Sequence, residues 1–167
     1  MGNYLKIRAF MRWTALLAVA FALVSCVATS RLINHSFGFD MRKDDQDAEV
    51  LDYRYGDSNV LTRADQWRVA EGKPFYAEAI SGRMPRGDQL YVKWRILSTG
   101  KVFEDAVDLR KRLPSEIEDH KLYFMVEGSQ LYVYLISPDL RPKELPPIGP
   151  RTYSYRKTIM IYPDMSR

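Results

Sequence analysis

The chain has 167 residues, with 25 basic residues against 21 acidic ones and a formal net charge of +4. Three of the basic residues precede the only cysteine, Cys26, and no acidic residue does, so the part from Cys26 onward has 22 basic and 21 acidic residues. A domain this close to neutral creates no long-range positive field, which argues against nucleic acid as a partner.

Residues 1–25 are predicted to be a lipoprotein signal peptide. Lys6, Arg8 and Arg12 precede a twelve-residue apolar run, Trp13–Val24. A basic start followed by a short apolar run is typical of an export signal. The run is shorter than the about 20 apolar residues that a transmembrane helix needs.

The apolar run ends in the sequence Leu23-Val24-Ser25-Cys26. These four residues resemble the lipobox of bacterial lipoproteins, in which the cysteine is lipidated and becomes the mature N-terminus. The resemblance implies acyl chains on Cys26, and two or more chains anchor a protein stably in a membrane. Because Val27 stands where an aspartate would favour retention in the inner membrane, it also implies an outer-membrane anchor facing the periplasm. An ordinary secretory signal with a buried cysteine is the alternative.

The remaining 142 of the 167 residues suffice for one domain of usual size but not for two. Residues 26–48 are polar and contain an acidic run, so we interpret them as a lipidated N-terminus and tether. A first strand around Leu32–Phe39 is compatible with this segment. Residues 49–167 alternate between apolar and polar side chains, which predicts a single β-rich domain.

Within that domain the period of two predicts a series of strands. The predicted strands are Val50–Tyr55, Gln66–Ala70, Phe75–Ser81, Leu90–Leu97, Val102–Leu109, Leu122–Val126, Leu131–Ile136 and Thr152–Tyr162. Glycine-containing turns at 98–101 and 127–130 predict two hairpins. A short helix is predicted to begin at Ser115, and the proline-rich residues 138–150 are predicted to be an extended crossover. The expected fold is mainly β, an antiparallel β-sandwich or open barrel with one short helix.

No catalytic, metal-binding or cofactor-binding pattern emerges from the sequence, so we expect no enzyme, no metal and no cofactor. The chain has two histidines, His35 and His120, and it lacks the G-x-S-x-G elbow of a serine nucleophile. We interpret His120 as a surface or capping residue. Zinc would require a cluster of cysteine and histidine, and the acidic run lacks the glycine and distal glutamate of a calcium loop.

Arg110, Lys111 and Arg112 form a small basic cluster after a predicted strand. A solvated corner is the default interpretation, and contact with an acidic partner or with lipid headgroups is the functional alternative. Because loops present side chains that a sheet holds in place, these three are the candidate partner-binding residues. Tyrosines at alternate strand positions are expected mostly in the core, and an exposed subset would suit protein binding.

Six runs, spread over most of residues 80–163, resemble small lipoproteins of Gram-negative bacteria. They are Gly87–Arg95, Thr99–Lys101, Val107–Arg110, Leu113–Pro114, Gln130–Ile136 and Leu145–Pro150. These runs are similar to immunity lipoproteins that accompany lipase effectors of type VI secretion systems. The resemblance implies a protein partner, a secreted phospholipase effector, which is bound and neutralised in the periplasm. A housekeeping envelope lipoprotein that scaffolds an outer-membrane complex is the alternative.

Overall fold

The computed structural model describes residues 31–57 and 62–164, so the predicted signal peptide and Cys26 lie outside the described residues. A compact unit begins at Arg31. Its strands are β1 (Leu32–Asp40), β2 (Ala48–Tyr55), β3 (Ala77–Pro85), β4 (Gln89–Ile96), β5 (Val102–Asp108), β6 (Lys121–Glu127), β7 (Gln130–Leu140) and β8 (Arg156–Tyr162). A short helix, α1 (Gln66–Ala70), follows β2, and a 3-10 turn, Arg151–Tyr153, precedes β8.

The strands form two sheets that enclose one core, a β-sandwich. The five-stranded sheet has the order β3-β1-β6-β7-β8, and the three-stranded sheet has the order β2-β4-β5. Neighbouring strands pair antiparallel except β1 and β6, which pair parallel from Ser36 opposite Lys121 to Gly38 opposite Tyr123. The predicted mainly β fold class is confirmed, and so are the two hairpins, β4 with β5 and β6 with β7.

Aromatic side chains from both sheets fill the core. Phe37, Phe39 and Phe124 come from the five-stranded sheet, Tyr53 and Tyr55 come from the three-stranded sheet, and all five are buried. The rings of Phe39 and Phe124 lie 4.6 Å apart, and Phe37 stacks on Tyr55 at 5.1 Å. Aromatic pairs at such separations contribute about 0.5–1.5 kcal/mol beyond the burial of their area.

Strand β1 corrects the predicted tether. The first strand that the sequence allows around Leu32–Phe39 is present as β1. Because β1 lies between β3 and β6 and buries Ile33, Phe37 and Phe39, the predicted tether is wrong from Leu32 onward. The folded domain starts near Arg31 and not at residue 49. The apolar alternation of β1 is short and is followed by acidic residues. Because such a pattern is typical of a solvated segment, it predicts a tether.

The acidic run itself is a structured loop between β1 and β2. The hydroxyl of Tyr123 donates to the carboxylate of Asp44 at 2.7 Å, and Asp45 pairs with Arg151. The side chain of Asp47 accepts from the backbone N–H of Ser98 at 3.2 Å. Its three aspartates therefore bind groups of the same domain.

The short helix lies at a different position in the chain from the one predicted. Residues 66–70 form α1 and not a strand, since the carboxylate of Asp65 caps the helix by accepting from the N–H of Trp67 at 3.2 Å. The helix predicted from Ser115 is a turn, in which the N–H of His120 donates to Ile117 O at 3.1 Å. None of the helices in residues 31–57 and 62–164 has the length and apolar composition of a membrane span.

The proline-rich segment after β7 is the predicted crossover, and it covers part of the outer face of the five-stranded sheet. Tyr123, Tyr134 and Ile136 on that face are buried, and the ring of Tyr153 lies 5.3 Å from that of Tyr123. Gly149 has φ +78°, and a Cβ there would meet the Tyr134 ring at 3.0 Å. The crossover therefore packs closely on the β6–β7 part of this sheet, while β3 and the outer face of the three-stranded sheet keep exposed side chains.

Candidate functional site

The outer face of the three-stranded sheet is the candidate functional site. Leu90, Val92 and Trp94 of β4 point into the core, so the alternate residues Tyr91 and Lys93 point outward. We call this surface the open face. It consists of Glu49, Asp52, Arg54, Gln89, Tyr91, Lys93, Arg95, Val102, Glu104, Ala106 and Asp108.

The strand register sets the charges of the open face in rows. Lys93 lies between Asp52 of β2 and Glu104 of β5. Tyr91 lies in the next row, opposite Arg54 of β2 on one side and Ala106 of β5 on the other. Opposite charges on directly paired residues stabilise a sheet modestly, and the resulting surface alternates in sign over short distances.

Short contacts tie these side chains together. The ammonium of Lys93 lies 3.9 Å from the carboxylate of Glu104, which also accepts from the hydroxyl of Tyr91 at 2.9 Å. Burial, together with this hydrogen bond, raises the pKa of Tyr91 to about 12. Tyr91 therefore stays neutral at physiological pH and keeps its hydroxyl as a donor.

A second group of contacts closes the far end of the open face. The guanidinium of Arg95 lies 3.0 Å from the carboxylate of Glu49, and the hydroxyl of Tyr76 donates to the same carboxylate at 2.9 Å. The side chain of Glu49 is buried beneath these two partners. These contacts consequently hold this end of the open face in one arrangement.

The other side of the open face contains a shallow depression beside a bulge in β2. Its volume is about 310 Å³, and its lining includes Asp52, Arg54, Arg63 and Tyr91. Burial raises the pKa of Asp52, while Arg54 and Lys93 oppose the shift. The depression presents one partly desolvated carboxylate between cations, which suits recognition of a polar side chain from another protein.

The structure divides the predicted basic cluster. Arg110 is exposed and makes a two-pronged ion pair with Asp108, at 3.0 and 2.6 Å, which lowers the pKa of Asp108 to about 2. Lys111 is exposed and has no salt bridge with any residue that the structure describes. Only Arg110 reaches the edge of the open face, through Asp108.

Arg112 has a structural role. It donates to Ile161 O at 3.3 Å and forms an ion pair with Asp164, and its guanidinium lies 5.4 Å from the centroid of the Tyr162 ring. These contacts hold the end of β8 against the loop after β5. The three basic residues therefore do not form one patch, and the prediction that groups them does not describe a single surface.

The remaining predicted features involve Cys26 and the histidines. Cys26 lies outside the described residues. His120 is partly exposed, and its Nδ1 lies 2.7 Å from Glu118 O. In residues 31–57 and 62–164, no group of three or more histidine, cysteine, aspartate or glutamate side chains is placed to hold a metal ion.

His35 is a buried hydrogen-bonding link between the two sheets. Its Nδ1 lies 2.9 Å from Ile33 O, and its Nε2 lies 3.0 Å from the hydroxyl of Tyr55. Because a carbonyl only accepts, Nδ1 carries the proton and Nε2 accepts from Tyr55. Burial lowers the pKa of His35 below its usual 6.5, although the Ile33 carbonyl and Glu118 act in the opposite direction.

We expect acid to destabilise the fold through His35. Below about pH 6.5 the unfolded chain takes up a proton that the folded chain resists, so the free energy of unfolding falls as the pH drops. Urea midpoints at about pH 7.5 and about pH 5.5 measure this slope. His35→Gln should reduce it, and the control His120→Gln should retain it. An unchanged slope in His35→Gln would assign the acid sensitivity to other groups.

Comparison of the chain with family models, curated proteins and solved structures finds no match. Its function is therefore inferred from the residues and the geometry described above.

Proposed function

We propose that the chain is an immunity lipoprotein, anchored by acyl chains on Cys26 in the outer membrane and facing the periplasm. It binds and neutralises a phospholipase toxin delivered by a type VI secretion system. Two features of the sequence support the proposal, the lipobox at residues 23–26 and the resemblance over residues 80–163. The open face is the structural observation that supports a binding function.

The dimensions of the open face indicate how a partner would contact it. Three strands about 4.8 Å apart and about 24 Å long give roughly 350 Å² of flat surface. A stable protein complex buries about 800 Å² on each partner. The interface would therefore extend past the strands, onto Arg63 beside the depression and Arg110 at the edge of β5.

The chemistry of the open face indicates a polar partner surface. Arg54 and Glu104 are exposed, and Lys93 retains about two fifths of its side-chain exposure while contacting Glu104. Alternating signs give specificity, because a partner with a shifted charge pattern meets like charges. Tyr91 adds contact area at low entropic cost. Such a surface suits recognition of one cognate toxin.

We expect the double variant Arg54→Glu/Lys93→Glu to lose protection against the toxin. Reversing two interface charges costs about 2–5 kcal/mol, a roughly 30- to 4,000-fold loss of affinity. The measurement is a contact-dependent competition in which the parent strain attacks a strain that lacks this gene and carries a plasmid copy. Wild-type chain should rescue the target cells, and the double variant should not.

The matched control is Lys43→Glu/Arg83→Glu, which reverses two exposed charges away from the open face. It should rescue the target cells as well as wild type does. Rescue by both double variants would exclude the open face as the interface. Equal survival of the deletion strain, under conditions where the secretion system fires, would exclude immunity and favour the envelope scaffold.

A further inference from the structure

The folded domain starts very close to the proposed lipid anchor. Only residues 27–30 separate Cys26 from Arg31, where the compact unit begins. The five steps along the chain from Cys26 to Arg31 span at most about 18 Å, whatever path the chain takes. The start of β1 at Leu32 is therefore confined to the vicinity of the bilayer, provided that Cys26 is lipidated as proposed.

The start of β1 shares one end of the five-stranded sheet with the end of β7. Ser36 of β1 pairs with Lys121 of β6, which pairs with Ile136 of β7. Leu32 lies four residues before Ser36, and Leu140 lies four residues after Ile136. β7 has a register shift between Ile136 and Leu140, where four of its residues oppose two of β8. Since β7 runs antiparallel to β1, the start of β1 and the end of β7 lie at the same end of the sheet. We call this the anchor end.

Large apolar side chains are exposed at the anchor end. Leu140 is 70% exposed, Leu145 54%, Tyr155 53% and Leu32 49%. Leu140 pairs with Arg156 across β7 and β8, and the N–H of Arg141 donates to Tyr155 O at 2.9 Å, which places Tyr155 beside Leu140. Exposed apolar side chains gathered at one end of a domain indicate an interaction surface.

Charged residues of both signs lie at the anchor end. Beside the start of β1, the loop 115–119 contributes Glu116, which pairs with Arg31 at 3.0 Å, and Asp119, whose N–H donates to Asn34 O at 2.8 Å. On the β7–β8 side, basic residues exceed acidic ones around the apolar side chains. Residues 139–145 and 155–157 contain four basic residues, Arg141, Lys143, Arg156 and Lys157, and two acidic residues, Asp139 and Glu144. The guanidinium of Arg141 donates to Ser154 O at 2.8 Å, and that of Arg156 donates to Pro138 O. Lys143 and Lys157 have no salt bridge within the part of the chain that the structure describes.

We propose that the anchor end rests on the anionic headgroup surface of the bilayer that carries the Cys26 anchor. Leu140, Leu145 and Tyr155 enter the interface between headgroups and acyl chains, while Lys143 and Lys157 contact lipid phosphates. Apolar and aromatic side chains beside lysine and arginine are the combination that binds such surfaces. The inference rests on lipidation of Cys26, which is one element of the proposed function, and does not require the toxin.

This orientation has a consequence for the proposed immunity function. The β6–β7 turn at Ser129 lies eleven residues from Leu140 along β7, at most about 36 Å from the anchor end. The open face would then stand beside the bilayer, at the height of an enzyme that attacks lipid headgroups. The protein would meet a phospholipase where that enzyme works.

Depth-dependent quenching in vesicles tests the orientation. Full-length lipidated protein is reconstituted in phosphatidylethanolamine and phosphatidylglycerol containing a lipid with a nitroxide near the headgroup. Because Cys26 is acylated, Leu145→Cys and Ser129→Cys each introduce the one thiol available for a fluorophore. We expect several-fold stronger quenching at position 145 than at 129. Equal or reversed quenching would overturn the proposed orientation.

Two further measurements separate the possible causes of failure. Flotation of the same vesicles measures whether the protein is anchored to the bilayer. Protein that does not float would overturn both the lipidation of Cys26 and the inference built on it. The double variant Lys143→Glu/Lys157→Glu should float but show reduced quenching at position 145. Unchanged quenching would contradict the proposed contact between these lysines and lipid phosphates. The competition assay reports immunity separately, so its failure leaves this result standing.

Discussion

Replacement of Trp94 by alanine is expected to lower the free energy of unfolding by about 3–5 kcal/mol, which is a large part of the stability of a domain this size. Trp94 is fully buried between the sheets, and its ring lies 6.0 Å from that of Phe103. Its indole N–H donates to Gly128 O at 2.9 Å, linking β4 of one sheet to the β6–β7 turn of the other. Alanine removes both the packing and this link.

Urea unfolding followed by circular dichroism measures the loss at Trp94. Trp94→Phe keeps a ring but removes the N–H, so it should cost less than alanine, about 1–3 kcal/mol, since Gly128 O loses its donor. Trp67→Ala is the matched control, because Trp67 is 54% exposed on α1, and it should change stability by about 0.5 kcal/mol or less. A loss below about 1 kcal/mol in Trp94→Ala would mean that the sheets close over the gap.

The hairpins were predictable because their determinants are local. In β6–β7, alternating apolar residues flank Gly128, whose φ of +56° suits the glycine of a tight turn. Gly100, with φ +69°, has the same function in β4–β5. A strand that pairs with its sequence neighbour needs no information from distant parts of the chain.

The position of β1 in the sheet required such information, although the strand itself was compatible with the sequence, and α1 was missed for a local reason. β1 pairs with β3 and β6, which lie far along the chain, and its parallel pairing with β6 leaves no turn signal in the sequence. α1 has only five residues, too few for a helical period to show, and the Asp65 cap decides its start. Long-range pairing therefore decides the place of β1, whereas a local cap decides α1.

The open face was predictable in part. The alternation of Leu90–Ile96 indicates which residues share a face, and it places Tyr91 and Lys93 together. It does not indicate which sheet the proline-rich crossover covers, because that depends on the packing of Tyr153 against Tyr123. The structural role of Arg112 could not be predicted either, because its ion-pair partner Asp164 is distant in sequence.

Cys26 is the proposed anchor, and only a short connection joins it to β1. Cys26→Ser should abolish acylation, leave the signal uncleaved and hold the protein at the inner membrane, because serine has no thiol to receive lipid. The conservative control Ser25→Ala keeps a small residue at the exit of the signal and should be processed normally. Membrane fractionation gives the location of each variant, and the intact mass shows whether its signal has been cleaved. A processed Cys26→Ser protein in the outer membrane would contradict the lipobox.

Protection should fail together with localisation in Cys26→Ser. A domain held by an uncleaved signal at the inner membrane cannot rest its anchor end on the outer membrane, even though β1 and the open face are unchanged. We therefore expect this variant to fold normally but to give no rescue in the competition assay, whereas Ser25→Ala should rescue fully. Full rescue by Cys26→Ser would show that neutralisation does not require the outer-membrane anchor.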